Sequence, residues 1–101
     1  MNLTKSSKFV LDRANWRQST VCDGEKCCVI GQYLLSCGYT KEQLYREKFS
    51  SKTCPYSKFD EIVGKYTSHV IYGINDCRET SDEIFLALKE KFAEFGIEMV
   101  I

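Results

Sequence analysis

The chain has 101 residues, close to the commonest size of a single domain, and we predict one globular domain over residues 1–101. Its content of 44% hydrophobic and 13% aromatic residues supports a packed core and excludes a disordered or collagen-like chain. Fourteen basic residues balance fourteen acidic ones. The resulting net charge of zero disfavours nucleic-acid binding, since phosphate recognition needs a basic surface.

The charges are nevertheless unevenly distributed along the chain. Residues 1–22 carry four basic side chains and one acidic one, whereas residues 75–101 carry seven acidic and three basic ones. Such polarity can steer a charged partner or a second copy of the chain, so the sequence allows a homodimer. A solvated helix face explains the same pattern more simply.

The first residues lack the apolar stretch of a signal peptide, and no apolar run approaches the roughly 20 residues that span a bilayer. We therefore expect no membrane association and a cytoplasmic location, the host cytoplasm in the case of a phage protein. Cysteines in that compartment are normally reduced.

The first third of the chain predicts a helix, a strand and a helix. A first helix is predicted over residues 4–14, followed by a strand over 17–22 and an Asp23-Gly24 hairpin turn. A second helix follows over residues 27–38, where Gly38 is suited to a left-handed helix end. The apolar stripe that predicts the first helix is made by Leu3, Val10, Leu11 and Ala14. The stripe that predicts the second is made by Ile30, Tyr33, Leu34 and Cys37.

The middle of the chain predicts two further helices. Thr40 and Gln43 form a capping box that starts a short third helix reaching about Lys48. Residues 49–57 have loop composition. A fourth helix is predicted over residues 57–74, although 69–72 also fit a strand.

The end of the chain carries the strongest helix pattern. Residues 75–79 predict a turn, and Thr80 with Glu83 forms a second capping box before a helix that ends at Gly96. Residues 97–101 alternate as a terminal strand. The fold class is therefore α+β, a small single domain with a short antiparallel sheet of two or three strands against four or five helices.

Six cysteines raise the question of metal or redox chemistry: Cys22, Cys27, Cys28, Cys37, Cys54 and Cys77. Paired zinc-ligand spacings are missing and His69 is the one histidine, so we predict no metal site and retain only Cys22 with Cys27 for a zinc test. A disulfide framework conflicts with the predicted compartment. A Cys–His69 nucleophile lacks a supporting motif. We expect the cysteines to be mainly reduced packing residues.

A sparse motif runs through the chain. Trp16 precedes a Gly-x-x-x-Cys-x-x-Gly step made by Gly24, Cys28 and Gly31, and Asn75-Asp76 precedes the last helix. In this pattern the chain resembles a small uncharacterised bacterial and phage protein family over roughly residues 8–95. It departs from the pattern in having Cys27 before the motif cysteine and Gln32 after Gly31. The resemblance implies a fold and no established activity, so no catalytic residues follow from it.

Core and turn roles explain the shared residues. Gly31 allows a second element to approach the helix closely, Cys28 fills a small gap, and Asn75 with Asp76 stabilises a turn. Trp16 is expected to anchor the core with its indole N–H bonded to a partner.

A binding site is the alternative interpretation of the same region. If the segment after the first helix lies beside the Asn-Asp turn, several polar and aromatic side chains converge there. Arginines and a stacking aromatic suit a nucleotide-like ligand. The candidate ligand- or partner-binding residues are Arg13, Trp16, Arg17, Gln18, Asn75, Asp76 and Arg78.

Phosphate-loop, carboxylate-pair and metal-helix motifs are absent, which disfavours an enzyme without excluding one, and the sequence offers no candidate catalytic residue or cofactor. Our leading hypothesis is a small non-enzymatic binding or inhibitor protein, phage-encoded and acting on a host defence or regulatory protein. The alternative is a protein that binds or sequesters a small molecule such as a nucleotide signal. A thiol-dependent enzyme is a weaker alternative.

Overall fold

The computed structural model describes residues 6–18, 21–22, 26–46 and 55–101. In this part of the chain, five helices surround a small two-stranded sheet. The elements in chain order are β1 (Lys8–Val10), a 3-10 turn (Arg13–Asn15), α1 (Val29–Ser36), α2 (Lys41–Arg46), α3 (Pro55–Val63), α4 (Thr67–Asn75), α5 (Ser81–Glu94) and β2 (Glu98–Val100). The predicted α+β class is confirmed.

The sheet is parallel, so the predicted antiparallel sheet is wrong. Lys8 pairs with Glu98 and Val10 with Val100, which places the start and the end of the described chain side by side. Parallel strands need a long crossover connection, and here every helix lies between the two strands. The terminal strand was predicted, whereas its partner was assigned to a helix.

The predicted first helix over residues 4–14 is wrong where the structure describes it. Phe9 and Leu11 are buried while Val10 is exposed, which is the two-residue alternation of a strand. Strand pairing and the insertion of Phe9 between Tyr33 and Phe92 override the local helix pattern. Residues 1–5 of that prediction lie outside the described residues.

The segment predicted as a strand over 17–22 contributes only isolated pairings. Cys27 pairs with Trp16 in a parallel bridge and with Cys22 in an antiparallel bridge. The predicted turn at Asp23-Gly24 lies outside the described residues.

The capping predictions are confirmed. Thr40 N–H donates to Gln43 Oε1 at 2.9 Å, and Gln43 N–H donates to Thr40 Oγ1 at 3.1 Å. Gly38 follows α1 with a φ of 113°, in the range that glycine tolerates. The predicted third helix ends at Arg46 in the described residues, and 47–54 lie outside them.

The predicted fourth helix is two helices, α3 and α4. Pro55, which was predicted to lie in a loop, already begins α3. The break between α3 and α4 falls where Gly64 has a φ of 151° and Tyr66 a φ of 67°. Asp60 Oδ1 accepts the Ser68 N–H at 2.8 Å, which satisfies a donor in the first turn of α4. Residues 69–72 are helical, so their strand alternative is wrong.

The core is built around aromatic rings from four elements. Tyr33 and Phe92 contact each other, and both contact Phe9 and Phe59, with ring centroids 5.1–6.1 Å apart. These contacts join β1, α1, α3 and α5, and the Tyr33 hydroxyl donates to the Ser6 carbonyl at 2.7 Å. The core therefore fixes α1 against β1, which matters for the site described below.

Replacing Thr80 with alanine tests the cap of α5. The Glu83 N–H donates to Thr80 Oγ1 at 3.3 Å, and Thr80 Oγ1 donates to Glu83 Oε1 at 3.0 Å. We expect Thr80→Ala to lower the free energy of unfolding by about 1 kcal/mol, measured by urea denaturation. Thr80→Ser keeps the hydroxyl and should stay close to wild type. Equal losses in both variants would contradict a role for the hydroxyl.

Candidate functional site

The structure brings together most of the residues predicted to form a site around Trp16 and Asn75. Trp16 Nε1–H donates to Asn75 Oδ1 at 2.6 Å, and the buried Val29 N–H donates to the same oxygen at 3.1 Å. Asn75 Nδ2 donates to the Arg17 carbonyl at 3.2 Å and to Asp76 Oδ1 at 2.9 Å. Asn75 is fully buried, so these protein partners account for its polar atoms.

Gln18 closes the same junction from the outside. Its Nε2 donates to the carbonyls of Asn75 and Cys77 at 2.9 and 2.8 Å. Trp16 is half-buried and packs edge-on against Phe85 at 5.0 Å, which confirms its anchoring role. This junction joins the segment after β1 to the end of α4 and to the start of α1. Binding of a ligand by its residues stays a prediction.

Two of the predicted site residues take no part in those hydrogen bonds. Arg13 forms an ion pair with Asp82 at 3.2 Å, and its guanidinium lies 5.5 Å from the centre of the Phe85 ring. Arg78 is exposed in the turn before α5. Arg13 therefore lies outside the Asn75 hydrogen bonds, beside the Phe85 ring that Trp16 also contacts.

A cleft of about 320 Å³ lies between β1 and α1 and was not predicted from the sequence. Its lining combines apolar and polar groups: Phe9, Val10, Asp12, Asn15, Cys27, Gln32, Leu35, Ser36 and Lys41. This volume is at the small end of the range for ligand pockets.

Gln32 lines the cleft, and its side-chain amide bonds backbone groups of two other segments. The Asp12 N–H donates to Gln32 Oε1 at 2.7 Å, and Gln32 Nε2 donates to the carbonyls of Asp12 and Cys27 at 3.0 and 3.2 Å. The amide therefore joins the end of β1 to α1. Gln32 is a position where the chain departs from the motif, and no local signal predicts this contact.

Asp12 contributes a negative charge to the cleft. A hydrogen bond from Asn15 Nδ2 at 2.7 Å, another from the Ala14 N–H at 3.2 Å and the nearby charge of Lys41 lower the pKa of Asp12 below its usual value. The carboxylate is thus ionised near neutral pH. With Lys41 in the same lining, the cleft contains charges of both signs.

A second candidate site is a set of exposed apolar side chains at the end of the sheet. Val10 is 66% exposed and is paired with Val100, while Ile101, 40% exposed, lines a groove with Leu86, which is 59% exposed. We call these four residues the sheet-end surface. Two ion pairs border it, Lys8 with Glu98 and Arg13 with Asp82.

The prediction of reduced cysteines is wrong for one pair. Cys22 and Cys27 are joined by a disulfide with a Cα–Cα distance of 4.1 Å, so their sulfurs are not available as zinc ligands. Within the described ranges, no group of three or more His, Cys, Asp and Glu side chains lies close enough to hold a metal ion. The packing role holds for Cys28 and Cys37, which are free and buried, while the free Cys77 is half-buried.

The geometry gives little support to a catalytic thiol. Burial raises the pKa of Cys28 to about 11, so it remains a thiol near neutral pH and is a poor nucleophile. His69 is exposed on α4, where its Nδ1 lies 2.6 Å from the Tyr72 hydroxyl.

No helix within the described ranges has the length and apolar character needed to cross a membrane. Comparison with known proteins finds no matching family model, no similar curated protein and no similar solved structure. The resemblance to a bacterial and phage family therefore stays a prediction.

Proposed function

We propose that this protein is a non-enzymatic binding protein that recognises another protein through the sheet-end surface. The observation that carries the proposal is the groove lined by the exposed apolar side chains of Leu86 and Ile101, next to the strand pair in which Val10 is also exposed. Contiguous apolar patches bordered by polar residues are typical of protein interaction sites.

The charges around this surface indicate the chemistry of the partner. Lys8 and Arg13 are each already paired with a carboxylate within the chain. A partner therefore needs to supply an apolar surface of matching shape more than compensating charges. Interfaces commonly combine such an apolar centre with a polar rim. The identity of the partner as a host defence or regulatory protein, and its place in the host cytoplasm, remain part of the hypothesis.

Replacing Leu86 with lysine tests this proposal, with Val70→Lys as the matched control. Both positions are exposed apolar residues on helices, and Val70, 44% exposed, lies on α4 away from the sheet. We expect affinity capture from host lysate, quantified by mass spectrometry, to retain the same specific proteins with wild type and Val70→Lys. Leu86→Lys should lose them by at least about tenfold, equivalent to about 1.4 kcal/mol of binding free energy.

Capture that is unchanged by Leu86→Lys, or that is lost equally in Val70→Lys, would contradict the assignment of this surface. Both variants should first show wild-type circular dichroism, since surface substitutions usually change stability by less than about 0.5 kcal/mol. A concentration-dependent mass near twice that of the monomer, lost in Leu86→Lys, would identify a second copy as the partner instead.

The cleft between β1 and α1 favours a second candidate function, binding of a small molecule such as a nucleotide. Its mixed lining offers the apolar Leu35 beside the charged Asp12 and Lys41. In a thermal-shift screen of nucleotides, a ligand at 100 times its Kd should stabilise the fold by about 2.7 kcal/mol. A screen without stabilisation would argue against this function.

A further inference from the structure

Cys27 is a junction between three parts of the backbone. Its N–H donates to the Asn15 carbonyl at 2.7 Å, and its carbonyl accepts the Arg17 N–H at 3.3 Å and Gln32 Nε2 at 3.2 Å. The disulfide adds Cys22 to this junction. Movement of Cys27 therefore affects the segment after β1 and helix α1 together.

Helix α1 packs directly against the disulfide at Gly31. A Cβ atom at this position would lie 2.9 Å from Cys22 Sγ, 3.0 Å from Cys27 Cβ and closer still to the Val21 carbonyl oxygen. Real Cβ atoms have almost no contacts this short. There is thus no spare space between the helix backbone and the two cysteines.

Reduction of the bond needs space that this packing does not provide. Bonded sulfurs lie about 2.05 Å apart, whereas non-bonded heavy atoms prefer separations of about 3.5–4.0 Å. The two thiols must therefore move apart, and either residues 21–22 or the start of α1 must shift. The Cys28 N–H, which donates to the Val21 carbonyl at 3.0 Å, connects these two segments directly.

The neighbouring thiol does not compete for the bond. Cys28 follows Cys27 in sequence but is buried, and burial raises the pKa of its thiol to about 11. Since the thiolate is the species that attacks a disulfide, this raised pKa disfavours exchange between Cys28 and the existing bond. Both residues of the bond are buried as well, with Cys22 4% and Cys27 1% exposed, so a reductant reaches the bond only when residues 21–22 or the start of α1 move away.

We infer that the Cys22–Cys27 disulfide is a reversible redox switch that sets the position of α1 and thereby the shape of the cleft beside β1. In the oxidising direction, the two thiols give up two protons and two electrons to a glutathione-type disulfide, which leaves as two thiols. In the reducing direction, two glutathione-type thiols reduce the Cys22–Cys27 bond to two cysteine thiols and are themselves oxidised to the glutathione-type disulfide. Gln32 and Cys27, which both line the cleft, carry the change to it. The inference does not depend on the proposed protein-binding function.

Amide hydrogen exchange on the full chain in glutathione buffers tests the switch, with the oxidised fraction measured by thiol alkylation and mass spectrometry. We expect an oxidised pair at Cys22 and Cys27 in oxidising buffer. On reduction, exchange at the amides of Asp12, Cys27 and Cys28 should accelerate at least about tenfold, while the amide of Leu88 in α5 keeps its protection.

Three outcomes would overturn the inference. They are free thiols at Cys22 and Cys27 in every buffer, an oxidised pair whose reduction leaves the three amides unchanged, and loss of protection at Leu88 as well, which indicates a structural staple. Cys77→Ser is the matched control and should respond to reduction as wild type does. The double variant Cys22→Ser with Cys27→Ser should resemble the reduced chain, and reduced wild type supplies the same comparison if the variant does not fold.

Discussion

Gly31→Ala is expected to lower the free energy of unfolding by about 3 kcal/mol, the upper end of the usual cost of overpacking a core. The added Cβ would meet the Val21 carbonyl oxygen, a backbone atom that cannot rotate away, together with Cys22 and Cys27. Helix α1 would have to separate from the disulfide-bonded segment. Urea denaturation of the oxidised protein, followed by circular dichroism, measures the change.

Gly73→Ala provides the matched control. Gly73 lies inside α4, and a Cβ there would meet nothing within 4 Å. Because alanine favours a helix interior more than glycine does, we expect this variant to be more stable than wild type by about 1 kcal/mol. Opposite signs at the two glycines would establish that Gly31 is required for close packing. A neutral or stabilising Gly31→Ala would show that α1 does not pack against Val21 and Cys22 as described.

Asn75→Ala is expected to lower the free energy of unfolding by about 2–4 kcal/mol, since it removes the acceptor shared by two donors. The Val29 N–H is buried and would have no partner, and the Trp16 indole would lose its hydrogen bond. The hydrogen bond from Asn75 Nδ2 to the Arg17 carbonyl would also be lost. Urea denaturation, with Trp16 fluorescence as a second probe, measures both the stability and the environment of the indole.

Two further variants separate the contributions at Asn75. Trp16→Phe removes the indole N–H but leaves Asn75 to accept from Val29, so we expect a smaller loss than in Asn75→Ala. Val70→Ala on the same helix is exposed and should stay within about 0.5 kcal/mol of wild type. A loss in Asn75→Ala no larger than in Val70→Ala would contradict the hydrogen-bond junction.

The stability of this junction bears on how the candidate surfaces function. Asn75 holds the segment after β1 against α1 and α4, and the Cys22–Cys27 bond holds the same segment at its other end. Cys27, at one of these attachments, lines the cleft together with Phe9. A variant at Asn75 should therefore disturb the cleft, whereas Leu86, on the outer side of α5, changes the sheet-end surface alone.

Several features of the fold were determined by the sequence itself. Thr40 and Thr80 were identified as caps because their side-chain oxygens satisfy amides three residues away, an interaction that needs no other part of the chain. The α5 pattern and the buried alternation of Ile97 and Met99 are equally local, since each follows from the period of one element. The contact between Trp16 and Asn75 was anticipated as a hypothesis from residue types.

Other features depended on partners far away in sequence, so only the tertiary structure decided them. Residues 8–10 fit a helical pattern, and their strand state depends on pairing with residues 98–100. The direction of the sheet follows from that same pairing. Gln32 has no local signal for bonding Asp12, twenty residues earlier, and the cleft is formed only when these two elements meet. The Cys22–Cys27 bond joins residues only five positions apart, but it forms because the bridge between their backbones brings the two thiols together, against the reduced state expected for the predicted compartment.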